Sequence, residues 1–159
     1  QLTYVPIESF PVFVRKGAFL PLHPLGFALS QEVSTEETQL LLPTTEVDMS
    51  RVHFTWFAPA AGASVQYTLR ESVSEGDGMV ATASFDGSTI TAQVSAHTGG
   101  LGAGFEFVGV SEPSDVQVSY WPNSRCVHKY ASHKQTLTVS CAKVAGGLKV
   151  TVTGVTSTM

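Results

Sequence analysis

Apolar and polar residues alternate over short runs along most of this chain, and helix-period spacing is almost absent. Leu148–Thr153 (LKVTVT) and Met79–Phe85 (MVATASF) are typical runs. Every second side chain of a strand points to one face, so this period-2 pattern predicts half-buried strands. The abundance of Val, Thr, Ile, Phe and Tyr in the runs supports that reading. Strands are expected near Val12–Arg15, Gln39–Leu42, Val52–Phe57, Ser64–Arg70, Met79–Phe85, Thr89–Ser95, Gly104–Val110, Val116–Tyr120, Arg125–Tyr130, Thr136–Ser140 and Leu148–Thr153. Gly, Ser and Asp clusters punctuate them at the intervals of a sandwich. Asp86-Gly87 predicts a tight hairpin, since the pair tolerates positive φ. A four-residue turn at Ser132–Gln135 predicts a second hairpin and sets Cys126 opposite Cys141.

The fold class expected is therefore all-β, an antiparallel β-sandwich with an N-terminal β-hairpin remnant of a preceding β-domain. Residues 1–25 form that remnant, the polar and acidic stretch within 26–45 is a connection, and 46–159 form the main sandwich. Gln1 is not an initiator Met and no signal-peptide pattern follows it, so the chain reads as a fragment or a processed product.

Composition narrows the partners. The chain has 159 residues, of which 43% are hydrophobic and only 14% charged, against roughly 25% charged in an ordinary soluble domain. A low charge density fits a chain with much of its surface covered, by its own sheets or by a neighbour. The net charge of −4 and the singly scattered Lys and Arg offer no footprint for nucleic acid or for an anionic membrane. No cofactor is implied. Two cysteines are too few for a disulfide framework, and Asn123-Ser124-Arg125 is not a glycosylation sequon.

Several residue sets invite a chemical reading. Glu71, Glu75 and Asp77 cluster among Ser and Gly, but a calcium loop needs more oxygens than they supply, so a solvated turn is expected. Cys126, His128, His133 and Cys141 have the residue types of a zinc site. His133 falls at a turn tip, and two independent thiols are the simpler state, with a Cys126–Cys141 cross-strand disulfide as the alternative. His97–Gly104 is Gly-rich, but a strand follows it rather than the helix a phosphate cradle needs, so an inter-strand loop is expected. Trp56, Tyr67, Tyr120 and Trp121 raise the question of sugar stacking. Tyr120-Trp121, at a strand end, is the best carbohydrate-binding candidate, while the others suit a core. No nucleophile-elbow motif is present.

One segment carries a resemblance. Val5–Leu22 reads VPIESFPVFVRKGAFLPL. Physically it is a short strand, a turn at Lys16-Gly17, and a second short strand closed by Pro21. As a string, Phe10-Pro11-Val12-Phe13-Val14-Arg15-Lys16-Gly17-Ala18-Phe19-Leu20-Pro21 resembles the segment just after the catalytic barrel in glycoside hydrolase family 31, the α-glucosidases and α-xylosidases. Arg51–Pro59, Tyr67–Gly78 and Gly147–Gly154 resemble parts of that family's distal β-sandwich more weakly. The resemblance implies a parent that is a retaining α-glycosidase with two catalytic Asp residues on a barrel. That barrel would precede Gln1, so no residue of this chain inherits a catalytic role. The expected function is to buttress the barrel, with self-association through the N-terminal strand as a further expectation. An independent carbohydrate-binding module is the alternative.

Overall fold

The structure is a computed structural model and describes residues 14–22, 51–69, 78–95, 102–120, 126–141 and 147–158. Ten strands run through them: β1 (Phe19–Leu22), β2 (Arg51–Phe57), β3 (Ala63–Leu69), β4 (Met79–Phe85), β5 (Thr89–Val94), β6 (Gly102–Val108), β7 (Asp115–Tyr120), β8 (Cys126–Ala131), β9 (Thr136–Cys141) and β10 (Leu148–Thr153). A single 3-10 turn, Ser132–Lys134, is the only helical element among the described residues. The strands form two five-stranded sheets. Sheet A has the order β1-β2-β6-β9-β8, and sheet B the order β3-β4-β5-β10-β7. This is the expected β-sandwich.

The alternation read from sequence sets the faces. Val52, Phe54 and Trp56 of β2 are buried in the core, as are Phe105 and Phe107 of β6 and Leu137 and Val139 of β9. Sheet A supplies bulk. Phe19, Phe54, Phe105 and Phe107 form a chain of ring contacts with centroids 5.8–6.1 Å apart, a favourable spacing for aromatic pairs. Sheet B supplies small side chains to the same core, Ala81, Ala83 and Ala92, beside Ile90, Val150 and Val152. Sheet A carries most of the rings and sheet B most of the small side chains, with Met79, Phe85 and Leu148 among them, and such a mix of sizes lets two sheets interdigitate.

Three features depart from the sequence reading. The β2–β6 pair is parallel, with His53 opposite Gly104 and Trp56 opposite Phe107, whereas every other ladder is antiparallel. Period-2 alternation is the same in both kinds of ladder, so the pattern could not distinguish them. The hairpin after β4 turns at Gly87-Ser88, not Asp86-Gly87. Asp86 flanks the turn because its Oδ1 accepts from the N–H groups of Ser88 (2.8 Å) and Thr89 (2.7 Å), and Gly87 takes the positive φ of 112°. β6 begins at Gly102 and ends at Val108, two residues earlier than expected at each end. Gly109, at φ 77°, breaks it.

Lys16 and Gly17 form the turn expected of them, with the Gly17 N–H donating to Phe57 O. Phe19–Leu22 then pairs with β2 at the edge of sheet A, and Phe19 enters the common core. Val14 and Arg15, expected to end a strand from Val12, are not strand; Val12-Phe13 and the strand expected at Gln39–Leu42 lie outside the described residues.

Candidate functional site

The sequence-flagged residues divide cleanly. Trp56 is fully buried and Tyr67 packs against the core, 6.4 Å from Phe54, so neither ring faces a ligand. Tyr120 ends β7 opposite Leu148 of β10, and Trp121 lies outside the described residues. So do Glu71, Glu75 and Asp77, and the stretch from His97 to Leu101. The rest of that Gly-rich run, Gly102–Gly104, is strand rather than loop.

Cys126 and Cys141 face each other across β8 and β9 with Cα atoms 4.1 Å apart, and they are joined as a disulfide. So close a Cα spacing is that of a non-hydrogen-bonded antiparallel pair. The two thiols read from the sequence are therefore one cystine. Its sulfurs are bonded to each other and cannot serve as zinc thiolates. His128 and His133 are both exposed, and the described residues contain no group of three or more His, Cys, Asp or Glu arranged to hold a metal ion.

A polar row that sequence reasoning missed crosses the outer face of sheet A. His53 and Ser140 are 4% and 6% exposed, and His53 Nε2 lies 3.2 Å from Ser140 Oγ. They sit on β2 and β9, with β6 between them. The ring spans that strand because its neighbour there is Gly104: a Cβ at Gly104 would lie 2.8 Å from His53 Nε2 and would also strike the Val139 carbonyl oxygen. One pair further along, Thr55 Oγ1 donates to Glu106 Oε2 at 3.2 Å. A Ser–His contact invites comparison with a nucleophile and its base. Such a nucleophile must reach substrate, and Ser140 is buried. The row instead ties β2, β6 and β9 together.

The two outer faces differ in chemistry. On sheet B, Ser, Thr and Gln fill the outward positions of all five strands; only Lys149 and Asp115 carry charge there, and only Val80 is apolar. The outward positions of this face thus carry little charge. On sheet A the exposed large apolar side chains lie at the two edge strands, Leu20 and Leu22 on β1 and Val127 on β8, flanking the polar row.

No family model matches the chain, and no curated protein is significantly similar to it. Solved structures do share its fold. The cycloalternan-forming enzyme of Listeria monocytogenes, in complex with a pentasaccharide substrate, matches 96% of this chain with a TM-score of 0.64 at 16% identity. A glycoside hydrolase family 31 dextranase of Flavobacterium johnsoniae, complexed with glucose, matches 96% with a TM-score of 0.63 at 14% identity. The chain spans only 14% and 21% of those two proteins. At such identities the likeness is one of fold. A (β/α)8 barrel needs eight alternating helices, and the described residues contain no α-helix. The shared architecture is therefore a β-domain compatible with a non-catalytic part of such enzymes.

Proposed function

We propose that this chain is the non-catalytic C-terminal β-sandwich region of an α-glucosidase-like glycoside hydrolase, and that it buttresses the parent's catalytic barrel. The observation that carries this reading is the fold match: nearly all of this chain corresponds to a small part of two glycan-processing enzymes. The Phe10–Pro21 string supports it independently, because it resembles the stretch that leaves the barrel in that family. The outer face of sheet A suits a contact with the rest of the parent, since Leu20, Leu22 and Val127 are exposed there. Leu20 and Leu22 lie at one edge of that face and Val127 at the opposite edge.

On this reading the parent hydrolyses an α-glycosidic bond with two carboxylates held on its barrel, and none of them belongs to this chain. The test is an assay of the purified chain on a chromogenic α-glucoside. No turnover is expected, and turnover that co-purifies with the chain through successive columns would overturn the reading.

A second reading, an independent carbohydrate-binding module, rests on the neutral hydroxyl- and amide-bearing face of sheet B. Such a face could hydrogen-bond a polyhydroxylated ligand, although no aromatic side chain stands among its outward positions to stack on a sugar ring. Titration with maltose, maltotriose and xylo-oligosaccharides, followed by tryptophan fluorescence and calorimetry, separates the two. Saturable heat would favour the module; its absence leaves the structural role.

A further inference from the structure

β8 is the least committed strand of sheet A. It closes the sheet at one edge, and its ladder is to β9 alone. None of its side chains is fully buried, Val127, His128 and Lys129 are exposed, and only Cys126 and Tyr130 pack against the core. Val127, facing outward, is 55% exposed. β9 beside it is buried almost throughout, with Leu137, Val139 and Cys141 in the core. A strand with so little buried apolar surface opens more readily than its neighbours.

Two side-chain links hold β8 at its ends. Tyr130 Oη donates to Val110 O at 3.0 Å near one end, and the Cys126–Cys141 disulfide closes the other. The four-residue turn Ser132–Gln135 that leads to β9 is tied down on its β9 side, where Gln135 O accepts from the N–H groups of Gly109 and Val110 and its Oε1 from the Thr158 hydroxyl, so these bonds hold β9 and the turn rather than β8. The disulfide is also asymmetric. Cys141 is fully buried, whereas Cys126 is partly exposed. Thiol–disulfide exchange depends on which sulfur a thiolate can reach, and of the two residues Cys126 is the one with exposed surface.

We propose that Cys126–Cys141 is a releasable staple: reduction by a small dithiol frees β8 from β9 while the rest of the sandwich stays folded. In the chemistry, a thiolate of the reductant attacks Cys126 Sγ, the S–S bond breaks, and Cys141 Sγ leaves and takes a proton. The second thiol of the reductant then displaces Cys126, which is also protonated, and the reductant ends as its own disulfide. Two electrons pass to the protein. Cys141 remains in the core as a small apolar side chain, so the core that β9 anchors keeps its packing. The freed β8 bares the backbone donors and acceptors of β9, an open edge able to receive another strand. This device does not depend on the proposed parent enzyme.

The test is hydrogen–deuterium exchange on the full chain, oxidised and after dithiothreitol treatment in native buffer, with thiol labelling to establish the redox state. Amides of Val127–Ala131 are expected to exchange roughly tenfold faster after reduction, with β4, β5 and β10 changed less than about twofold. Cys126→Ser, which leaves the buried Cys141 in place, is expected to reproduce the reduced pattern without reductant. Unchanged protection of β8 in the labelled, reduced chain would overturn the proposal. Loss of protection from both sheets together would overturn it too, as would resistance of the disulfide to the dithiol in the folded state.

Discussion

His53 and Ser140, 87 positions apart in sequence, share a buried hydrogen bond of 3.2 Å that passes over the Cα of Gly104. Three strands meet in that contact, two of them, β2 and β6, paired in parallel. Gly104→Ala puts a methyl group against the Val139 carbonyl, and backbone cannot yield as a flexible side chain can. A loss of about 2–3 kcal/mol in urea denaturation is expected. Ser140→Ala removes only the hydroxyl and is expected to cost about 1 kcal/mol. Equal costs for the two substitutions would contradict the packing role given to Gly104.

Trp56 offers a contrast within the core. Its side chain is fully buried, and its Nε1–H has no hydrogen-bond partner. An unpaired buried donor costs about 1–3 kcal/mol. Trp56→Phe removes that penalty while losing some packing, so a net change below about 1.5 kcal/mol is expected. Trp56→Ala loses the whole ring and should cost about 3–5 kcal/mol. Thermal and chemical denaturation of the two variants gives the comparison; a Phe variant as damaged as the Ala variant would show that the indole N–H is satisfied in solution.

The Asp86 carboxyl is held below its ordinary pKa by the N–H groups of Ser88 and Thr89, with the Ser88 hydroxyl adding to them. A depressed folded-state pKa means that the charged form is favoured by folding. The stability this contributes is fully present above about pH 5 and is lost as pH falls through the folded-state value. Asp86→Asn keeps an oxygen acceptor but removes the charge. The stability advantage of the native chain over this variant, measured by urea denaturation from pH 7 to pH 3, is expected to shrink as the pH is lowered. A gap that widens towards pH 3 would contradict the turn's electrostatics.

Much of the sandwich was legible because strand faces are written in the alternation itself. Met79–Phe85 and Leu148–Thr153 are bounded in the structure as the pattern predicts, and the Ser132–Gln135 turn does set Cys126 opposite Cys141. The limits have physical causes. Parallel and antiparallel ladders share one period, so the β2–β6 pairing was invisible. Asp86 side-chain bonding moved the hairpin tip by one residue. The state of the cysteines depended on strand register as well as spacing. His53, Thr55 and Glu106 read as ordinary outward polar residues. Their association requires β6 to lie between β2 and β9 with a glycine under the imidazole, and neither condition is local. Of the aromatic residues, Trp56 is core as its place within an apolar strand suggested, and the Tyr120-Trp121 candidate is left to the sugar titration because Trp121 lies outside the described residues.

The proposed parent enzyme is tested most directly by the full reading frame that encodes Gln1–Met159. The account predicts a coding sequence upstream of Gln1 for a barrel of alternating strands and helices, with two catalytic Asp motifs at its strand ends. A frame that opens near Gln1, or one that joins this sandwich to an unrelated domain, would contradict it.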